Sequence, residues 1–179
     1  SITVTRLANK PLGLDIDSQD GVTCFVSSIS AGPFQIYNDN SKVTEQLRPG
    51  DFILKANSVE GSASKLLKEM KSATTLAVLV RRSEEFWVAV ERTNTRKPLG
   101  LEFCKPFANA LLVSKVVPKG PFQTWNGGNP EKEVRKGDRV VAVCGKRGKA
   151  AELQKQLSAL KQVQVTVLRP ASLDSWRFW

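Results

Sequence analysis

One phrase of five residues occurs twice in this chain, as Lys10-Pro11-Leu12-Gly13-Leu14 and as Lys97-Pro98-Leu99-Gly100-Leu101, 87 residues apart. The residues that follow each copy also match. Gly32-Pro33-Phe34-Gln35 returns as Gly120-Pro121-Phe122-Gln123, and Pro49-Gly50-Asp51 returns as Lys136-Gly137-Asp138. Residues 76–82 return, loosely, as residues 163–169. A repeat of this period is too long for a solenoid unit and suits a small domain. The chain is therefore expected to hold two copies of one domain, at 1–82 and 86–169, with a tail at 170–179.

Within each copy the apolar pattern alternates between strand and helix periods. Ile2 to Leu7 reads as a strand, and Leu12, Leu14 and Ile16 alternate with Asp15 and Asp17. Asp20-Gly21 signals a hairpin, and Val22 to Ile29 pairs back. One short helical turn is expected near Phe34 to Tyr37, followed by a polar loop to Gln46. Phe52 to Ala56 reads as a strand, and Ser62 or Ser64 caps a helix running to about Ser72. Thr75 to Val80 closes the copy. Arg81 to Glu85 then reads as a linker too short to act as a tether, so the copies are expected to hold a defined orientation.

The second copy repeats this plan, with strands at Phe86–Arg92, Leu99–Cys104, Leu111–Val117, Arg139–Val143 and Val163–Leu168. Its helix is expected at about Ala150–Leu160, and residues 124–130 read as a loop.

Several classes of chemistry are closed by composition. The chain has no histidine, which removes Ser-His-Asp and Cys-His catalysis and His-ligated zinc. Cys24, Cys104 and Cys144 form no CxxC pair, and each falls in a strand-like apolar run where a thiol serves as a small core residue. No phosphate loop or paired-carboxylate motif is present. We expect no enzyme, no cofactor and no metal site. No apolar run reaches the length of a membrane-spanning helix. Ser1 opens onto a strand pattern without a basic-plus-apolar leader, so no targeting peptide is expected in this sequence.

The net charge of +10 is uneven: ten Lys and Arg face eight Asp and Glu in residues 1–82, against seventeen and nine in residues 83–179. The second copy is thus the more attractive to an acidic partner. Lys132, Arg135, Lys136, Arg139 and the run Lys146-Arg147-Gly148-Lys149 are expected to form its solvated basic surface. Without aromatic stacking platforms they do not point to nucleic acid.

The order of strand, Φ-G-Φ loop, strand, hairpin, strand, Gly-Asp turn, strand, helix and strand, stated twice, resembles the PDZ domain. It covers 2–82 and 86–169. The stretches from Leu14 to Thr23 and from Trp125 to Pro130 also resemble PDZ-like domains of unicellular algae. The resemblance implies an α+β chain of two tandem, partly closed antiparallel β-sheets, each capped by one main helix. Leu12-Gly13-Leu14 and Leu99-Gly100-Leu101 would occupy the family's carboxylate-binding loop, with Lys10 and Lys97 near its basic residue. A peptide would add as a strand beside Leu14 and Ile16, or Leu101 and Phe103, with Leu67 or Gln154 on the facing helix.

The departures from the family are specific. Pro11 and Pro98 replace the loop's first glycine and remove one N–H donor. Ala63 or Ser64, and Ala150 or Ala151, stand where the best-known binding class has a histidine, which excludes its reading of a Ser or Thr.

Each loop keeps two readings: capture of a peptide carboxylate, or a fold-defining turn whose glycine serves packing. Trp125 reads as a loop anchor or a partner contact, and Trp176, Phe178 and Trp179 as a docking element. The function expected first is a protein-binding adaptor or scaffold, soluble or peripheral. The alternative is an accessory subunit docked to a large assembly through the basic second domain and the tail. With the algal resemblance, that assembly would be a chloroplast photosystem at the thylakoid.

Overall fold

The computed structural model describes residues 1–6 and 10–171. The chain divides into two compact units, one comprising Ser1–Ser83 with residues 170 and 171, the other Glu84–Arg169.

The first unit contains β1 (Ile2–Thr5), β2 (Leu14–Asp17), β3 (Cys24–Ile29), α1 (Pro33–Asp39), β4 (Phe52–Ala56), β5 (Val59–Glu60), α2 (Ala63–Ser72) and β6 (Thr75–Arg81). Its strands form one antiparallel sheet in the order β1-β6-β4-β3-β2, with β5 paired to β4. The second unit contains β7 (Ser83–Glu91), β8 (Leu101–Phe103), β9 (Leu111–Val116), α3 (Pro121–Gly128), β10 (Arg139–Val143), β11 (Lys146–Arg147), α4 (Ala150–Ala159) and β12 (Gln162–Pro170). A short 3-10 helix at Pro130–Lys132 follows α3. The order β7-β12-β10-β9-β8, with β11 on β10, restates the first sheet.

In each unit the strand after the repeated loop lies at the sheet's edge. Its outer backbone groups are left for another strand.

Alternation along the strands builds the cores. Ile2 and Val4 turn inward on β1 to meet Val26, Phe34, Leu66 and Leu76. Val88 and Val90 on β7 do the same against Leu111, Phe122, Leu153 and Val165. Removing any of these fully buried Leu side chains to Ala costs about 2–5 kcal/mol.

Three expectations need correction. The helical turn expected at Phe34 to Tyr37 is there but belongs to a longer helix, α1, and the loop expected at 124–130 is helix α3 as far as Gly128. Pro33 and Pro121 stand in the first helical turn, where a missing N–H costs nothing. Each helix then buries a Phe and an Asn. Asn38 donates to Leu47 O at 2.8 Å and accepts from Leu47 N at 2.9 Å, and Asn126 treats Val134 identically. These buried amides hold the chain after the helix as a strand partner would.

The expected linker is the second correction. β6 runs through Arg81 and β7 begins at Ser83, because both segments find ladder partners in their own sheets. Third, Cys144 is exposed and Cys104 only half-buried, so Cys24 alone is a core thiol. Burial and the charge of Asp20 push the Cys24 thiol up to about 11. Cys144 (φ 47) and Gly145 (φ 75) instead form the two-residue turn between β10 and β11.

Candidate functional site

Within each unit the Lys-Pro-Leu-Gly-Leu phrase touches the Gly-Pro-Phe-Gln phrase that follows it. Gly13 (φ 76) and Gly100 (φ 89) both lie in the left-handed region. A Cβ on Gly13 would stand 2.4 Å from Ser30 O, and one on Gly100 would stand 2.9 Å from Gly120 Cα. The partners are backbone atoms, so nothing can rotate aside. Gly32 and Gly120, which open the Gly-Pro-Phe-Gln phrases, are equally close from the other side, at 2.7 Å to Leu12 O and to Gly100 Cα. Packing alone therefore requires these glycines, and they carry no information about a ligand.

The amides of the loop are the more informative atoms. Gly13 O accepts from Ser30 N and Gly100 O from Val117 N, both at 2.8 Å, while Leu99 O accepts from Phe122 N at 3.3 Å. The carbonyls thus face the scaffold. Among the described residues the N–H groups of Leu12, Gly13, Leu99 and Gly100 meet no acceptor. Unpaired consecutive amides before a strand suit an anion.

An arginine that the sequence reading passed over positions each loop. Arg92, at the end of β7 and buried, donates Nη1 to Lys97 O at 2.9 Å. It also donates Nη2 to Leu157 O and Ser158 O, at 3.0 and 2.6 Å, and Nε to Leu160 O at 2.9 Å. One guanidinium thereby satisfies the orphan carbonyls at the end of α4 and ties them to the loop, with its charge at the favourable pole of the helix. Arg6 repeats this with Ala73 O at 3.2 Å and Met70 O, but reaches Lys10 O only at 3.5 Å. A polar residue following Val4 and Val90 on the inward face of the first strand was the available signal. Lys10 and Lys97 are exposed, and each offers its carbonyl to this arginine.

In the second unit a cavity of about 200 Å³ opens between loop, edge strand and helix. Pro98 and Leu99 form its floor at the loop, Leu101 and Phe103 its β8 wall, and Gln154 and Leu157 its α4 wall. In the first unit Leu12, Leu14, Ile16 and Leu67 are half-buried and pack on the core. There an open depression of about 520 Å³ runs along α2 past Leu67, Lys68 and Lys71. Pro11 and Pro98 are exposed, and Ala63 and Ala150 are buried at the first turns of α2 and α4.

The Gly-Asp turns hold buried carboxylates that brace the sheets. Asp138 Oδ2 accepts from Arg135 N at 2.8 Å and from Arg169 Nη2 at 2.7 Å, while Oδ1 accepts from Arg169 Nε at 3.1 Å. Asp51 pairs likewise with Arg48 N and Arg82. Burial raises both carboxyls above their ordinary range, and the arginines draw them part of the way back.

Trp125 lies on α3 rather than in a loop. It is half-buried against the core, and its Nε1 donates to Lys132 O at 3.4 Å. Trp87 stands beside it with ring centroids 6.4 Å apart. Arg139 does not belong to the basic surface, because it is 0% exposed at the start of β10, at the position Phe52 takes in the first unit. Trp176, Phe178 and Trp179 lie outside the described residues. Among the described residues no helix is long and apolar enough to cross a membrane, and no cluster of His, Cys, Asp or Glu could hold a metal.

Both units have the PDZ-like fold. It follows from their strand order, with an edge strand facing a helix across the repeated loop. No protein-family model and no curated protein matches the sequence. Among solved structures, the INAD PDZ45 tandem in complex with NORPA CC-PBM overlaps at a TM-score of 0.42 and 16% identity, over 96% of this chain and 92% of that one. The same tandem with an NG2 peptide overlaps at 0.41 and 16%, over 96% and 90%. MUPP1 PDZ4 overlaps at 0.42 and 17% identity, over 50% of this chain and 79% of that one.

Proposed function

We propose that this chain is a non-catalytic protein-interaction module that receives extended peptides by strand addition, chiefly in the second unit. The observation that carries the reading is the cavity bounded by Leu99, Leu101, Phe103 and Leu157. It lies beside the open edge of β8 and ends at a loop with unpaired amides. A peptide backbone adds along β8, its terminal carboxylate rests on the N–H groups of Leu99 and Gly100, and its last side chain fills the cavity. The lining selects an apolar last residue. With Pro98 lacking an N–H, the carboxylate has one donor fewer than a glycine-led loop would give it.

The test is a titration of the full chain with peptides ending in Val, Leu or Phe, each paired with its C-terminally amidated form. Saturable binding of the free acids is expected, weakened at least tenfold by amidation and by Gln154→Trp, which fills the groove from an exposed helix position. Leu67→Trp in the first unit should leave it unchanged. Absence of saturation by about 1 mM, a free energy near −4 kcal/mol, would overturn the reading. No observation on the described residues favours the docked-subunit alternative.

A further inference from the structure

The second unit has a larger cavity, of about 580 Å³, on the other side of the same loop. The walls are Val90, Pro98, Val117, Pro118, Pro121 and Trp125. It shares Pro98 and Arg92 with the groove, so the loop is a partition between two concavities.

Two features set this cavity apart. Its apolar wall includes three prolines and the flank of a Trp whose ring nitrogen is tied to Lys132 O, so the surface is rigid before anything binds. Its rim carries Lys97 and Lys119, both exposed and neither paired with a carboxylate among the described residues. The other charges that face it are already engaged. Glu91 binds Lys161 at 3.3 Å, and Arg92 commits its N–H groups to carbonyls.

Lys119 is also an extra residue. Ser30-Ala31-Gly32 of the first copy becomes Val117-Pro118-Lys119-Gly120, and the inserted Lys119 sits at φ 63. A left-handed Lys is uncommon, and such conformations concentrate where a side chain must be presented.

We propose that this rear cavity is a second binding site, taking an acidic peptide segment with one large apolar side chain. The side chain lies against Trp125 and the prolines, and flanking carboxylates meet Lys97 and Lys119. The net charge of this unit adds long-range attraction for such a segment. A membrane surface fits less well, because Trp125 is half-buried with its polar tip occupied, rather than standing free to insert.

The experiment uses the full chain and an acetylated, amidated peptide of Asp and Glu around one central Leu, which has no terminal carboxylate for the groove. Saturable binding is expected, weakened at least tenfold by Lys97→Glu with Lys119→Glu and by Thr124→Trp, which fills the cavity from an exposed position. Lys136→Glu with Lys146→Glu changes the net charge equally at exposed sites elsewhere, and should cost less than threefold. Gln154→Trp should not matter, which separates this site from the groove. The proposal is overturned by equal losses in the two double variants, by full affinity in Thr124→Trp, or by absence of saturation. It is overturned too if anionic phosphatidylserine vesicles, and not the peptide, bind in a way that Lys97→Glu with Lys119→Glu abolishes.

Discussion

The two units answer the same structural demands, with different tightness at the same place. In the second, Arg92 is buried and holds the loop carbonyl at 2.9 Å; in the first, Arg6 is half-buried and reaches its loop only at 3.5 Å. Behind the loop the first unit makes the turn with Ala31, while the second inserts Lys119 and gains a cavity. Beside the helix the first presents Lys68 and Lys71, while the second closes a pocket around Leu101 and Phe103. The copies share what the backbone requires and differ in what a partner would touch. On the proposed reading, the second is the better organised to receive a peptide.

The harshest way to break this comparison is at the paired glycines. Gly13→Val and Gly100→Val each drive a Cβ into backbone from a left-handed conformation. Each should cost about 4 kcal/mol or more, enough to unfold the unit that carries it. Gly127→Ala on α3 meets nothing and should stabilise slightly. Hydrogen exchange resolved by unit would show the losses, and a folded Gly100→Val unit would refute the packing account.

A smaller effect sharpens the contrast between the arginines. Arg92→Met leaves several buried carbonyls unpaired and should cost about 3 kcal/mol, against about 1 for Arg6→Met, by urea denaturation. Peptide affinity should fall with the first and hold with the second. Equal costs in the two units would mean that the two arginines hold their loops equally well.

The last test is by pH. Burial already raises the Asp138 carboxyl, and Arg169→Gln takes away the cation that draws it down. A raised acid disfavours the folded state as pH climbs through its titration. The variant's deficit should therefore be largest at neutral pH, at about 3 kcal/mol, and narrow as pH falls below the carboxylate range. A deficit independent of pH would mean that Arg169 acts through packing on Phe86, over whose ring it lies at 4.5 Å.

Much of this was legible because the repeat and the alternation were. β4 and α2 fall where the hydrophobic periods place them, since a half-buried surface element advertises its face. Helix α3 and the full length of α1 were not legible, because each helix is short and buries one Phe and one Asn, too few for a periodic signal. Asn38 and Asn126 read as loop residues until their carbonyl and amide partners are seen across the loop. Leu101, Phe103 and Gln154, which line one cavity, were named from the resemblance to the PDZ domain. Arg92 was not, because the carbonyls it satisfies belong to a helix 65 residues further along.

The contact between the loop glycine and the helix-leading glycine has a consequence for anyone rebuilding this molecule. Recognition loops are ordinarily grafted as continuous pieces. Here the smallest exchangeable part is discontinuous, five residues from one place and a Gly-Pro dipeptide about twenty further on. A donor loop brought in alone would inherit a neighbour shaped for another backbone. Libraries that vary the loop should hold both glycines fixed and place their diversity on the edge strand and helix, where side chains have room to differ.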